Sequence, residues 1–228
     1  LRAHLPSGIP MFKRPIFAAI LATAIPMSAH AGQFNYNYIE LGLDKAKYGQ
    51  GDASYGRGES INGDGNLSGA FGFADHFYVS GAYRKADFHV EGDILGMNFR
   101  AEEDFTYWAL NFGYHLSVSE NNDFIAEIGR ESYSNDTQLF LNDSSFGGGK
   151  YTNKNLQAAA GLRTSFGNRL ETLAKLAYKD NGAEDYESRL AVELDGMYKF
   201  NPTWAVTLNT QVNSSGISSC GLGIRASF

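Results

Sequence analysis

The feature that most constrains the fold of this chain is a two-residue alternation between apolar side chains and small or polar ones. After residue 31 no run approaches the roughly 18 apolar residues of a membrane-spanning helix, and the spacing of three and four residues that marks an amphipathic helix is absent. The sequence therefore predicts an all-β protein. A clear example sets Trp108, Leu110, Phe112, Tyr114 and Leu116 against Tyr107, Ala109, Asn111, Gly113 and His115.

The alternating segments and their connectors predict an up-and-down meander. Short polar turns at residues 74–76, 117–122, 167–169 and 201–203 alternate with longer connectors at 46–61, 86–103, 134–151, 181–185 and 213–216. An even number of strands places both chain ends on the short-turn side. We expect ten strands, near residues 34–45, 63–74, 77–88, 104–116, 123–133, 152–166, 170–180, 186–200, 203–212 and 217–228.

The composition of the polar face distinguishes a soluble sandwich or lipocalin-like barrel from an outer-membrane barrel. A soluble sheet presents a face dense in Lys and Glu, whereas here the polar face mixes Gly, Ala, Ser and Asn with isolated charges, as an enclosed wall does. Only a closed barrel satisfies every backbone group of a sheet in lipid. We predict one domain over residues 32–228, a ten-stranded antiparallel transmembrane β-barrel. Its interfacial aromatic girdle would contain Phe73, Phe77, Tyr114, Phe124, Phe166, Phe200 and Trp204.

The leading segment is typical of an export signal. Lys13 and Arg14 precede an apolar run over residues 15–27, and the small residues Ala29 and Ala31 match a signal-peptidase site. Residues 11–31 are therefore predicted to be a signal peptide. Residues 1–10 are predicted to be an over-extended gene model, with a cloning remnant as the alternative. Without the first 31 residues the chain carries 16 basic and 25 acidic side chains, a net charge of −9. Such an acidic chain is a poor nucleic-acid binder.

Two parts of the sequence resemble known proteins. Residues 223–228 (GIRASF) resemble the C-terminal signature of bacterial outer-membrane barrels, with Gly223, Ala226 and Phe228 as the assembly signal. This resemblance implies a Gram-negative outer membrane and recognition by the barrel-assembly machinery. Residues 36–42, 72–77 and 199–204 resemble small outer-membrane barrel proteins of xanthomonads and relatives, a family once discussed as a secreted quorum-sensing or immune-eliciting factor. The shared motifs are structural and imply no catalytic residue.

The inward face of the predicted barrel carries seven acidic and seven basic side chains. Such balance favours salt-bridged networks that hold the wall together, because an unpaired buried charge is costly, while a selectivity ring in a channel is the alternative. We single out as the lumen charge network Glu40, Arg84, Glu127, Arg163, Glu171, Lys175, Glu193, Lys199 and Arg225. The other inward charges are Asp44, Glu131, Asp195, Lys179 and Arg189.

The number of strands limits the width of the lumen. Ten strands about 4.8 Å apart and tilted about 40° give a backbone radius near 10 Å, of which side chains fill about 5 to 6 Å. We therefore expect a structural or narrow passive-pore role for a monomer in lipid and lipopolysaccharide, with both termini periplasmic. The alternative is a surface binding or adhesion protein that acts through its long loops.

The remaining motifs carry weaker functional signals. Acidic loop residues could share divalent cations with lipopolysaccharide phosphates, because these ions prefer oxygen ligands. His89 beside Asp87 resembles part of an outer-membrane protease site, and His115 near Ser117 resembles a deacylase pair, but no spacing makes catalytic partners converge. We expect no enzymatic activity, no cofactor and no metal centre. Cys220 is expected to face lipid as an inert thiol.

Overall fold

The computed structural model describes residues 34–47, 60–62, 65–94, 97–181, 188–214 and 218–228. The predicted extension 1–10, the predicted signal peptide 11–31 and most of the predicted connector 46–61 lie outside these ranges. So do residues 182–187, with most of the predicted connector 181–185, and residues 215–217, with half of the predicted connector 213–216. Within the described ranges, no helix has the length and apolar character to cross a bilayer.

The described chain forms a closed antiparallel barrel with ten strand positions, which confirms the predicted fold. Successive strands pair with each other, and β1 pairs with β11 from Tyr38↔Ser227 to Lys47↔Ser218, which closes the sheet. Two segments, β2 and β3, share one position beside β1. The strands are β1 Tyr38–Lys47, β2 Ser60–Asn62, β3 Gly65–Ala74, β4 Phe77–Ile94, β5 Met97–Ser119, β6 Asn122–Leu141, β7 Ser144–Phe166, β8 Leu170–Asn181, β9 Arg189–Lys199, β10 Trp204–Asn213 and β11 Ser218–Ser227.

The alternation places large apolar side chains outside and small or polar ones inside. Leu110 is 59% exposed, Ile128 63% and Leu222 61%, although all three are aliphatic. Their exposure is what a lipid-facing band requires. Apolar side chains therefore cover the outside of this molecule, and its interior is polar.

Two ends of the barrel differ in their connections. We call the end with the tight turns, residue 34 and residue 228 the turn end, and the opposite end the hairpin end. Aromatic side chains form clusters outside the wall at the turn end, where the Phe77 ring lies 5.5 Å from Phe112, 5.4 Å from Tyr114 and 6.3 Å from Phe73. This is the position expected for an interfacial girdle.

The predicted long loops at 86–103 and 134–151 are wrong, because the described residues of both segments pair as antiparallel strands. β4 and β5 remain paired as far as Ile94↔Met97, and β6 and β7 as far as Leu141↔Ser144. Asn142 and Asp143 turn the second hairpin with positive φ angles of 47° and 64°, the conformation of a type I′ turn that these residue types tolerate. Beyond the membrane neither face of a strand needs to be apolar, so the alternation that marks the other strands disappears there.

Candidate functional site

The lumen brings together every residue of the predicted charge network. At the turn end, Glu171 on β8 is 3% exposed and accepts hydrogen bonds from Arg163 Nε at 3.0 Å and Nη2 at 2.6 Å. Lys199 on β9 forms a second ion pair with the same carboxylate. One buried acid therefore holds two cations from its two neighbouring strands.

A second cluster lies further along the lumen. Lys175 Nζ on β8 lies 3.0 Å from Glu127 on β6 and 2.9 Å from Glu193 on β9. Because β7 lies between β6 and β8, the Lys175 side chain reaches across β7 to a strand with which β8 does not pair. Tyr78 on β4 donates its hydroxyl to Glu127 at 2.9 Å, so the cluster reaches another wall of the lumen.

Glu40 on β1 is the most completely satisfied acid of the network. It is 2% exposed and accepts hydrogen bonds from Arg225 Nε at 2.8 Å, Thr207 Oγ1 at 2.9 Å and Asn209 Nδ2 at 2.9 Å. Gly223 is required beside it, because a Cβ there would meet Thr207 Oγ1 at 2.7 Å and Glu40 Oε1 at 3.0 Å. The glycine of the predicted assembly signal therefore also makes room for this cluster.

Two further ion pairs lie towards the hairpin end. Arg84 Nε lies 2.6 Å from Asp44, and Lys179 Nζ lies 3.0 Å from Glu131. Glu131 also accepts a hydrogen bond from Asn155 Nδ2 at 3.0 Å. The attraction within a buried ion pair offsets the cost of removing both charges from water only when hydrogen bonds satisfy both partners. Removal of one partner leaves a buried charge without compensation, which is strongly destabilising.

Residues 34–37 close the turn end, although the sequence placed them in the first strand. Tyr36 precedes β1 and donates its hydroxyl to Asp123 on β6 at 2.9 Å. In the order of the sheet β6 lies four of the ten strand positions around the ring from β1, so this hydrogen bond crosses the lumen. Arg163 lies 5.0 Å from the Phe34 ring centre and 4.9 Å from the Tyr36 ring centre. Phe34 and Tyr36 belong to a buried cluster that also contains Tyr78, Ile125 and Ala70.

Sequence reasoning missed Asp123, which shares the inward face of β6 with Glu127 and Glu131 and had the same period-two signal. Its carboxylate accepts the Ser117 hydroxyl at 2.7 Å and lies 3.4 Å from His115 Nδ1. The Ser117 hydroxyl therefore points at a carboxylate rather than at the imidazole, and the arrangement differs from a serine nucleophile activated by histidine. His115 instead stacks on Tyr36 with ring centres 4.1 Å apart.

The seam between the chain ends positions the other two residues of the predicted assembly signal. Phe228 donates its backbone N–H to the Asn37 carbonyl at 3.1 Å and accepts from Asn35 Nδ2 at 3.1 Å. Ala226 lies in register with Ile39 on one side and Trp204 on the other. The C-terminal strand is thus held along its whole length.

A polar cavity of about 260 Å³ lies within the lumen. Small side chains such as Ser68, Ser80 and Ala82 line one side, and Asp195 and Asn209 line the other. Among the residues with described side chains, no group of three or more His, Cys, Asp or Glu is placed to hold a metal. The side chains of His89, Glu91 and Asp93 lie outside the described ones. Cys220 is exposed on the outer face.

Comparisons with solved structures found proteins that are similar to this chain. The translocator domain of the autotransporter NalP from Neisseria meningitidis has a TM-score of 0.52 and 12% identity, over 84% of this chain and 88% of that chain. The outer-membrane protease OmpT from Escherichia coli has a TM-score of 0.47 and 11% identity, over 88% and 99% of the two chains. The attachment invasion locus protein Ail from Yersinia pestis has a TM-score of 0.43 and 16% identity, over 83% and 97%.

The likeness to the NalP domain, together with the closed sheet and the apolar outer band, defines the fold as that of an outer-membrane β-barrel. No protein-family model matches the chain, and no curated protein matches it. Membership of the xanthomonad family therefore stays a prediction.

Proposed function

We propose that this protein is an integral barrel of a Gram-negative outer membrane with a structural role and a lumen that does not conduct solutes. The observation that carries the proposal is the hydrogen bond of Tyr36 to Asp123, which crosses the turn end of the lumen. Beyond it, Lys175 and Lys179 each bridge strands that are not neighbours. A narrow passive pore would need a continuous aqueous path past the turn end.

The orientation proposed for the chain follows from the lengths of its connections. Outer-membrane barrels have short periplasmic turns and longer extracellular segments. The turn end, with residue 34 and Phe228, is therefore assigned to the periplasm. In this orientation Gly223, Ala226 and Phe228 would be presented to the barrel-assembly machinery, and the barrel would work as a monomer without a cofactor or an enzymatic activity.

Planar-bilayer recording tests the closed lumen. The wild-type protein should give no steady single-channel steps. The double variant F34A/Y36A removes the side chains that close the turn end, so it should increase ion flux into vesicles. F166A is the matched control, because Phe166 is an aromatic residue at the same end but 58% exposed on the outside. Steady steps from the wild type would contradict the proposal.

A second candidate function is surface binding, and the length of four strands favours it. β5 and β7 contain 23 residues each, about 78 Å of extended chain, whereas the apolar band of an outer-membrane barrel is about 25 Å tall. With their neighbours β4 and β6 they form a sheet that extends beyond the band at the hairpin end. We call this part, from Asp87 and Asp104 outwards, the projecting sheet.

A row of outward carboxylates at the base of the projecting sheet indicates the kind of partner. Asp104 lies in register with Asp87 on one side and with Asp136 on the other. Asp87 is ten residues from the turn end of β4, about 26 Å along the barrel axis at a 40° tilt, which is the outer edge of the apolar band. Divalent cations could link these oxygens to lipopolysaccharide phosphates.

Chelation separates the two candidate functions. If the row binds cations together with lipopolysaccharide, EDTA should lower the unfolding midpoint in lipopolysaccharide-containing micelles, and D87N/D104N should remove the effect. E102Q is the control, because Glu102 is exposed on the same outer face but lies beyond the row. An unchanged midpoint would remove this function. Replacement of residues 138–148 by a two-residue turn should then leave a pure scaffold intact.

A further inference from the structure

Among the described residues, most of the charges inside the lumen form ion pairs, and Asp195 does not. In the described part of the chain, six inward carboxylates form ion pairs with six inward bases. Asp123 stands outside these pairs, but Tyr36 and Ser117 donate hydrogen bonds to it. Asp195 has neither a salt bridge nor a hydrogen bond among the described residues. Asp195 is half-buried, and an unpaired carboxylate at such a position attracts a cation.

No protein cation forms an ion pair with Asp195 among the described residues, although Lys175 and Arg225 act on its charge from a distance. Lys175 is the base with the strongest influence on it, but this ammonium already contacts Glu127 and Glu193. Arg225 is held by Glu40. Arg189 faces the same lumen, but it lies six residues along β9, about 20 Å away in an extended strand.

The cavity supplies the space and the oxygen atoms that a compensating ion needs. Asp195 lines this cavity of about 260 Å³ and is enclosed by the barrel wall. The volume corresponds to about eight waters at roughly 30 Å³ each. Asn209 lies directly opposite Asp195 in the β9–β10 register and uses its amide nitrogen on Glu40, which leaves its oxygen as an acceptor. Gln211 lies two residues further along β10 on the same inward face and adds another neutral oxygen to the lining.

We infer that the lumen binds one monovalent alkali cation, Na⁺ or K⁺, between Asp195 and the neutral oxygens of the cavity wall. A single carboxylate matches a single charge, whereas tight sites for Ca²⁺ or Mg²⁺ gather several carboxylates. Hard oxygen donors also suit an alkali ion better than a transition metal, which prefers imidazole or thiolate. The inference concerns the lumen and holds whether or not the projecting sheet binds a partner.

The first experiment uses the wild-type protein in detergent micelles and the ions alone. The unfolding midpoint is measured in NaCl, in KCl and in N-methylglucamine chloride at equal ionic strength. The two alkali salts should raise the midpoint by about 3 to 6 °C over N-methylglucamine when their concentration is about ten times the dissociation constant. Line broadening of the ²³Na resonance by the protein, reversed by K⁺, should report the same site.

Two variants assign the effect to the cavity. D195N keeps the shape of the side chain and removes its charge, so it should abolish both the salt-specific midpoint shift and the ²³Na broadening. E120Q is the control, because Glu120 is an exposed carboxylate in a turn outside the lumen, so its removal should change neither. If D195N fails to fold, Asp195→Glu should retain ²³Na broadening with a changed K⁺ competition.

Three outcomes would overturn the inference. The wild type could show the same midpoint in all three salts with no ²³Na broadening. Its midpoint could instead follow pH alone, which would mean that a proton neutralises Asp195. D195N could also retain the alkali-specific shift, which would place the ion elsewhere.

Discussion

Four strands run through both the membrane-embedded barrel and the projecting sheet, but their outward side chains follow opposite rules in the two regions. In the barrel, β5 alternates lipid-facing Leu110 and Phe112 with inward Asn111 and Gly113, and one face must be apolar. In the projecting sheet, β5 carries Glu102 and Asp104 on the outward face. A strand continues through the boundary because its backbone pairing is the same on both sides, while the solvent for its side chains changes. The two regions show that the alternation of apolar and polar side chains marks the part of a strand that lies in the membrane. The loss of alternation does not mark the end of the strand.

The largest expected difference between the two regions concerns ion pairs. E171Q removes the charge that holds both Arg163 and Lys199, so it should lower the free energy of unfolding by about 3–5 kcal/mol. E102Q in the projecting sheet breaks an exposed pair with Arg100 and should cost at most about 1 kcal/mol. Urea titration of both variants in lipid vesicles measures the two values. Equal costs would show that the lumen pairs are solvated like surface pairs.

The second-largest difference between the two regions is expected when a charge is introduced on the outer face of each. Leu110 faces lipid and lies four residues along the β4–β5 register from the turn end of β4. L110R should therefore destabilise the barrel by about 2–4 kcal/mol. Q138R places the same side chain on the outward face of the projecting sheet and should change stability by less than about 0.5 kcal/mol. Folding yield into vesicles and urea midpoints check the pair. A large cost for Q138R would mean that the sheet lies in the membrane.

An added methyl group should also affect the packing of the lumen and of the projecting sheet differently. G223A forces a Cβ against Thr207 and Glu40 in the lumen and should cost about 1–3 kcal/mol. Gly149 in the projecting sheet has no heavy atom within 4 Å of the Cβ position, so G149A should be neutral or stabilise by up to about 1 kcal/mol. The unfolding midpoints of the two variants give the comparison. A neutral G223A would show that the Glu40 cluster is loosely packed.

The turns should give the smallest effects. Gly167 has a φ of 67° at the turn end, where an added side chain is strained by about 1–2 kcal/mol in G167A. Asp143 has a φ of 64° at the tip of the projecting sheet, so D143G should relieve strain and stabilise the hairpin by about 0.5 kcal/mol. Amide hydrogen exchange near each turn measures the two changes, and faster exchange in D143G would refute the type I′ assignment.

Much of the fold could be predicted from the sequence because lipid imposes a pattern that few other environments impose. Ten strands, their lipid faces and the inward charges all follow from period-two alternation. The ion partners could not be predicted, because pairs such as Lys175 with Glu127 join strands separated by another strand. Asp123 could have been found, since it lies four residues before Glu127 on the same face.

The two largest errors have different physical causes. The hairpins at 86–103 and 134–151 were expected to be loops because their faces are both polar outside the membrane. The closure of the turn end could not be predicted, because Phe34 and Tyr36 alternate like strand residues. Only the contact with Asp123 across the lumen shows that they turn inward. Neither error concerns the membrane-embedded wall itself.

Site-directed spin labelling along β5 tests the continuity of barrel and projecting sheet most directly. Labels are placed in a Cys220→Ser background at outward positions from Asn98 to Phe112, and collision with oxygen and with a water-soluble nickel complex is measured in vesicles. The account predicts oxygen preference at Trp108, Leu110 and Phe112, a change near Asp104, and nickel preference with strand-like low mobility from Glu102 to Asn98. Loop-like high mobility beyond Asp104, or oxygen preference that continues to Asn98, would contradict it.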